Sequence, residues 1–198
     1  MTTFLQDRSG IGVHQRRKVF EMRNQYELSD DAGQKLGAVE QIGQSPLTFI
    51  VRLLGDMDVF LPVTLSVTDA AGGEVLRLHK PWFKYAVSVA GGDGNVIGVV
   101  RKRVRLGKAV FSVFAPDGTT VLGEVKAENW RARNFRIDDA TGTEVARVTK
   151  QWRGLLTEAF TDADSYAVTF ESTTAEPMRS LALASALSVD LTMKQKDY

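Results

Sequence analysis

The chain has no cysteine and only two histidines among its 198 residues. Without cysteine there is no disulfide, no thiol nucleophile and no thiolate metal site, a composition that suits a reducing compartment. An excess of charge of one sign is also missing. The 25 Lys and Arg nearly balance the 24 Asp and Glu, so no long-range field draws the whole molecule to nucleic acid, and any anion site must be local. Long hydrophobic runs are absent too: Met1 to Gly10 carries Asp7 and Arg8 and no apolar secretory core. The greasiest stretch offers only ten uncharged residues between Arg179 and Asp190. As a helix it would measure about 15 Å, half of what a bilayer core needs. A single spanning helix is therefore not expected, and the chain reads as cytoplasmic.

That stretch nevertheless organises what is present. From Pro177 to Leu191, Leu181, Leu183, Leu187, Val189 and Leu191 point in several directions at 100° per residue, so the helix is apolar all round and requires enclosure. Thr173 and Glu176 have capping-box spacing and Pro177 falls where a first turn tolerates it, which predicts a helix over about 175–192.

Upstream, strand and turn alternate almost without pause. Asp30-Asp31-Ala32-Gly33, Asp69-Ala70-Ala71-Gly72, Gly92-Asp93-Gly94, Pro116-Asp117-Gly118 and Thr141-Gly142 each separate two Val/Ile/Leu-rich runs, and Asp and Gly supply the turn chemistry of tight hairpins. Runs near 18–28, 35–42, 47–54, 62–69, 74–80, 83–90, 96–105, 108–115, 120–128, 131–138, 143–152 and 166–172 predict about twelve strands. Eight strands close a barrel filled by its own side chains, and sixteen hold a water channel; about twelve leave room for one helix. The fold class expected is mainly β, a single closed antiparallel barrel enclosing the C-terminal helix. A polar lead-in over 1–15 would precede one domain over 16–198.

Three segments carry a resemblance. Arg23-Asn24-Gln25-Tyr26-Glu27-Leu28 with Asp31 and Gly33, Ala127 to Phe135 around Trp130, and Phe160-Thr161-Asp162-Ala163-Asp164-Ser165-Tyr166 running into the last helix resemble the phospholipid scramblase family. That family stands with the Tubby-like and LURP-one-related proteins. The resemblance implies a twelve-stranded barrel around a central helix, and movement of phospholipids between leaflets under calcium control. It implies a calcium segment beginning at Asp162 and Asp164. From Asp162, however, the fifth position is Tyr166 and the twelfth is Thr173, where a calcium loop needs oxygen ligands and a carboxylate. The other reading of Asp162 and Asp164 is a turn before the last strand. The family's Pro-rich or palmitoylated cysteine-rich segments have no counterpart here.

Among the charges, Arg101-Lys102-Arg103-Val104-Arg105 with Lys108 lies in a stretch from Gly94 to Pro116 that contains no acid. On a strand Arg101, Arg103 and Arg105 share one face about 7 Å apart, a ladder suited to phosphate headgroups or, equally, to water. Arg131 and Arg133 alternate in the same way. His14 and His79 have no partner at metal-ligand spacing, Gly92-Asp93-Gly94 with Gly98 is misspaced for a dinucleotide loop, and no Gly-x-Ser-x-Gly elbow occurs. Trp82, Trp130 and Trp152 read as core or rim packing rather than base-stacking platforms. The reading reached is a non-hydrolytic scramblase-like protein associated peripherally with an anionic phospholipid surface, at the inner face of the plasma membrane. Its headgroup ligands would be Arg101, Arg103, Arg105 and Lys108. The rivals are a soluble module binding a protein or nucleic acid partner, and a small-ligand carrier competing with the helix for the barrel interior.

Overall fold

A computed structural model describes residues 3–15, 25–43, 61–82, 85–105, 108–129, 134–149 and 165–193. Twelve strands form one closed barrel: β1 Gly10–Gln15, β2 Gln25–Ser29, β3 Lys35–Ile42, β4 Val63–Asp69, β5 Glu74–Lys80, β6 Ala86–Gly91, β7 Val96–Arg105, β8 Lys108–Phe114, β9 Val121–Asn129, β10 Asn134–Asp139, β11 Glu144–Thr149 and β12 Ser165–Phe170. Each strand pairs antiparallel with its neighbours in sequence. The seam is closed by β1 against β12, with Gly12 opposite Ala167 and Val13 opposite Tyr166. Helix α1, Met178–Met193, occupies the interior.

The turns explain why the chain meanders. In five hairpins an aspartate carboxylate accepts backbone N–H groups of the residues that follow, replacing the missing ladder partners. Asp69 Oδ1 takes Ala71 N at 3.0 Å and Gly73 N at 2.8 Å, and Asp139 Oδ1 takes Thr141 N at 2.8 Å and Thr143 N at 3.0 Å. Asp30, Asp93 and Asp117 do the same. Gly72 and Gly142 follow with φ of 85° and 88°, a left-handed step that a side chain would strain. All five turns lie at one end of the barrel, because antiparallel order puts every even-to-odd connection there.

From Leu181 to Leu191 no helix residue is more than 5 % exposed, so the enclosure expected from the all-round apolar pattern is what forms. Polar residues of the helix find partners both within it and on the wall. Ser185 and Ser188 hydroxyls each donate to the carbonyl four residues back, and Asp190 accepts the Tyr26 hydroxyl at 2.6 Å. Gly98 marks where helix and wall come nearest, since a Cβ there would stand 2.7 Å from Leu181.

Two expectations are corrected. The lead-in does not extend to residue 15: residues 10–15 are β1, and Leu5 in a 3-10 turn (Thr3–Leu5) is buried. Gly10 and Gly12 hid this strand, and Gly10 has the Val168 carbonyl only 3.0 Å from where its Cβ would be. The run at 47–54 lies outside the described residues, so the twelfth strand is this one. The helix cap also differs. Thr173 is exposed, and Glu176 Oε2 accepts the Ser180 N–H at 3.1 Å while the Pro177 carbonyl begins the helical ladder. Arg179, at the helix start, is buried. Its guanidinium donates to the carbonyls of Thr174, Leu5 and Arg8 and lies over Phe170, tying the N-terminal turn across the helix start.

Because Leu187 is fully enclosed, its truncation leaves a cavity that a closed wall cannot collapse. Leu187→Ala should lower the unfolding free energy by about 2–5 kcal/mol, read by urea denaturation, whereas exposed Thr173→Ala should change it by less than about 0.5 kcal/mol.

Candidate functional site

Strands β7 and β8 carry the cationic ladder. Side chains alternate along β7, with Gly98 and Val100 toward the helix and Arg101 and Arg103 outward. Register sets Arg101 opposite Ser112 and Arg103 opposite Val110, and brings Arg105 and Lys108 together as the last pair. Arg101 and Arg103 share the outer face, and along the backbone of β7 Arg105 follows two positions on, with Lys108 across from it.

What holds it is a ring. Phe114 lies on the outer face yet is only 1 % exposed, because the guanidinium carbons of Arg101 and Arg103 sit 4.7 and 4.5 Å from its centroid. Arg101 is half-buried and its Nη2 donates to the Gly118 carbonyl at 3.2 Å, so it also clamps the β8–β9 turn. Arg103 is exposed. Sequence alternation alone could not divide these roles, since it does not reveal the phenylalanine beneath.

Four other cations of the wall are matched. Arg77 pairs with Glu74 and Arg147 with Glu144, while Lys126 and Arg136 both reach buried Asp138, at 2.6 and 3.2 Å. Among the described residues no carboxylate pairs with Arg101 or Arg103. This face therefore keeps an uncompensated positive charge, the chemistry needed for a phosphate oxygen.

The remaining candidates resolve differently. His14 is buried on β1, its ring nitrogens 2.9 Å from Ser29 Oγ and 3.3 Å from Ser165 Oγ. Burial pushes its pKa below the ordinary 6.5, with Glu27 pulling the other way. His79 is exposed and bonded to Thr64. Among the described residues no group of three or more His, Asp or Glu could hold a metal. Asp162, Asp164, Trp130, Trp152, Arg131 and Arg133 lie outside the described residues. The described chain resumes at Ser165, where β12 begins and Tyr166 is buried in the core.

A cleft of about 560 Å³ opens at the hairpin end beside the helix start, lined by Leu76, Val96, Ile97, Leu122 and Pro177. Its polar groups do not converge. Asp93 is taken up by Asn95, and Glu176 accepts from Ser180 with its other oxygen buried and facing no donor among the described residues. The carrier reading gains no polar anchor there.

The fold is thus a closed antiparallel barrel threaded by its own C-terminal helix, of the Tubby-like kind. An Arabidopsis thaliana protein known from its X-ray structure superposes with a TM-score of 0.53 at 17 % identity, covering 94 % of this chain and 92 % of its own. The family model for Scramblase matches residues 3–195, and the chain belongs to that family. Two curated relatives are similar at lower coverage. Phospholipid scramblase 2 of Homo sapiens is 23 % identical over 185 residues, 86 % of this chain and 60 % of the relative. Altered inheritance rate of mitochondria protein 25 of Saccharomyces cerevisiae is 24 % identical over 178 residues, 77 % and 54 % respectively. The chain thus spans little more than half the length of these relatives. No helix among the described residues is long and apolar enough to cross a membrane.

Two consequences can be measured. Arg101→Ala should cost about 1 kcal/mol more than Arg103→Ala in urea unfolding, because only the first also removes a turn hydrogen bond. His14 is held neutral in the fold, so the unfolded chain binds more protons as pH drops through 6.5 toward the lowered folded value, and stability falls across that window. Denaturation midpoints should decline from about pH 7.5 to about pH 5.5, and His14→Gln should flatten the decline.

Proposed function

We propose that the barrel is a peripheral, non-hydrolytic phospholipid-binding module that meets an anionic leaflet through the outer face of β7 and β8. The observation that supports this is the contrast in charge pairing: four wall cations have carboxylates, while Arg101 and Arg103 rest on Phe114 with none among the described residues. Arg103 supplies the free guanidinium, Arg101 the fixed neighbour, and the Arg105–Lys108 pair extends the ladder along the strand. Each basic group near such a leaflet contributes about 1 kcal/mol, which makes the attachment reversible and salt-sensitive. Family membership gives the same direction, since a relative carries phospholipid scramblase in its name.

Exchange of lipid between leaflets asks more of the structure. Helix α1 is enclosed along its apolar length, and releasing it to acyl chains would give up on the order of 10 kcal/mol of burial. The enclosed state is read here as the headgroup-binding state. Calcium has no step in this reading.

Vesicles containing phosphatidylserine should float the protein at low salt and release it near about 0.5 M salt, equally with micromolar calcium or with chelator. Charge reversal of Arg103 and Arg105 should weaken partition by about thirtyfold, the equivalent of about 2 kcal/mol. Failure to bind anionic vesicles at low salt would sink the reading, and binding unchanged by the reversal would move the site elsewhere.

A further inference from the structure

Among the described residues the two ends of the barrel differ in chemistry. At the hairpin end Asp30, Asp69, Asp93, Asp117 and Asp139 occupy the turns. Hydrogen bonds from Asn95, Thr120 and Thr141 hold the carboxyls of Asp93, Asp117 and Asp139 below the usual range, so this end stays anionic in mild acid. Its exposed large apolar residues, Val96 and Val121, are small and lie close to Asp93 and Asp117.

At the opposite end the large side chains left in water are of another kind. Ile42 ends β3, Trp82 follows β5 and Tyr85 precedes β6, with exposures of 38 %, 48 % and 49 %. The Lys102 N–H donates to the Tyr85 carbonyl at 2.8 Å, and its ammonium lies 5.5 Å from the Tyr85 ring centroid. Arg103 is the next residue along β7, on the outer face. An aromatic rim and a cationic strand therefore share one sector, β3 to β8. Trp and Tyr with one apolar and one wet side settle at the headgroup level of a bilayer, where neighbouring cations reach phosphates.

We infer that the barrel sits end-on on an anionic lipid surface, with Ile42, Trp82 and Tyr85 entering the interface and the aspartate hairpins pointing into water. The inference rests on the headgroup-binding reading above and adds which end meets the lipid and which apolar residues enter it. A side-on pose on β7 and β8 alone would leave the rim dry of lipid. The inverted pose would press five carboxylates against anionic headgroups.

The chain has no cysteine, so single cysteines at Trp82 or Tyr85, and at Thr119 or Thr141 on the hairpins, accept an environment-sensitive fluorophore at one place each. On vesicles of phosphatidylcholine and phosphatidylserine, the rim labels should shift to the blue and be quenched by acyl-chain nitroxides, while the hairpin labels stay as in water. In parallel, Trp82→Ala with Tyr85→Ala should weaken partition about tenfold without changing its salt dependence, whereas charge reversal at Arg103 should change that dependence. Vesicle binding that persists with rim labels in water, or with hairpin labels entering lipid, overturns the orientation and leaves headgroup binding standing. Absence of binding by the unaltered protein overturns both.

Discussion

Enclosure of one helix by one sheet is the constraint on which the molecule depends. A rod that is apolar on every side has no stable place on a flat sheet, and a sheet of twelve strands has no stable interior without a filling. Each solves the other's problem. The price is that polar groups on the rod need internal partners: the serine hydroxyls bond back to the helix's own carbonyls, a tyrosine hydroxyl of the wall reaches one oxygen of Asp190, and three carbonyls surround Arg179. The wall gives way where contact is tightest, at Gly98, and bulk is carried elsewhere by Phe111, Phe135, Tyr26 and Tyr166.

Once the interior is committed to packing, chemistry is confined to the surface, and there the placement of charge matters more than its amount. The aspartates are consumed by turn geometry at one end. Most cations of the outer face are consumed by carboxylates one strand or three residues away. The exception is a patch in which a buried phenylalanine, rather than an acid, anchors guanidinium groups. A ring fixes the position of an arginine without neutralising it, which leaves the charge available to a ligand.

The architecture was largely legible because it is written in short-range chemistry. Asp and Gly at each hairpin, alternation between them, and leucines around a whole helix are local signals, and they led to the barrel, its strand number and its occupant. What local signals missed were long-range matters. Gly10-Ile11-Gly12-Val13 reads as polar lead-in until β12 is seen beside it, where a small residue is required by the approach of a neighbouring carbonyl. Nothing in the sequence around Arg179 and Asp190 points to the carbonyls 174 and 171 residues away and the hydroxyl 164 residues away that surround them. The cationic ladder was visible as a pattern. The division between a clamped Arg101 and an exposed Arg103 depends on the Gly118 carbonyl of the β8–β9 turn, which only Arg101 reaches and which spacing does not encode.

The seam between β1 and β12 joins His14 to Ser165, 151 residues apart, and has a consequence for biosynthesis. While the ribosome is still delivering the later hairpins, the emerging meander has an unsatisfied border along β1 and another that advances with each new strand, over a hollow whose filler is translated last. Such an intermediate is vulnerable to pairing with a second nascent chain. Closure must then wait until β12 and the helix have emerged. Brief shielding by a chaperone during that interval would matter more to the yield of this protein than the final strength of any single contact.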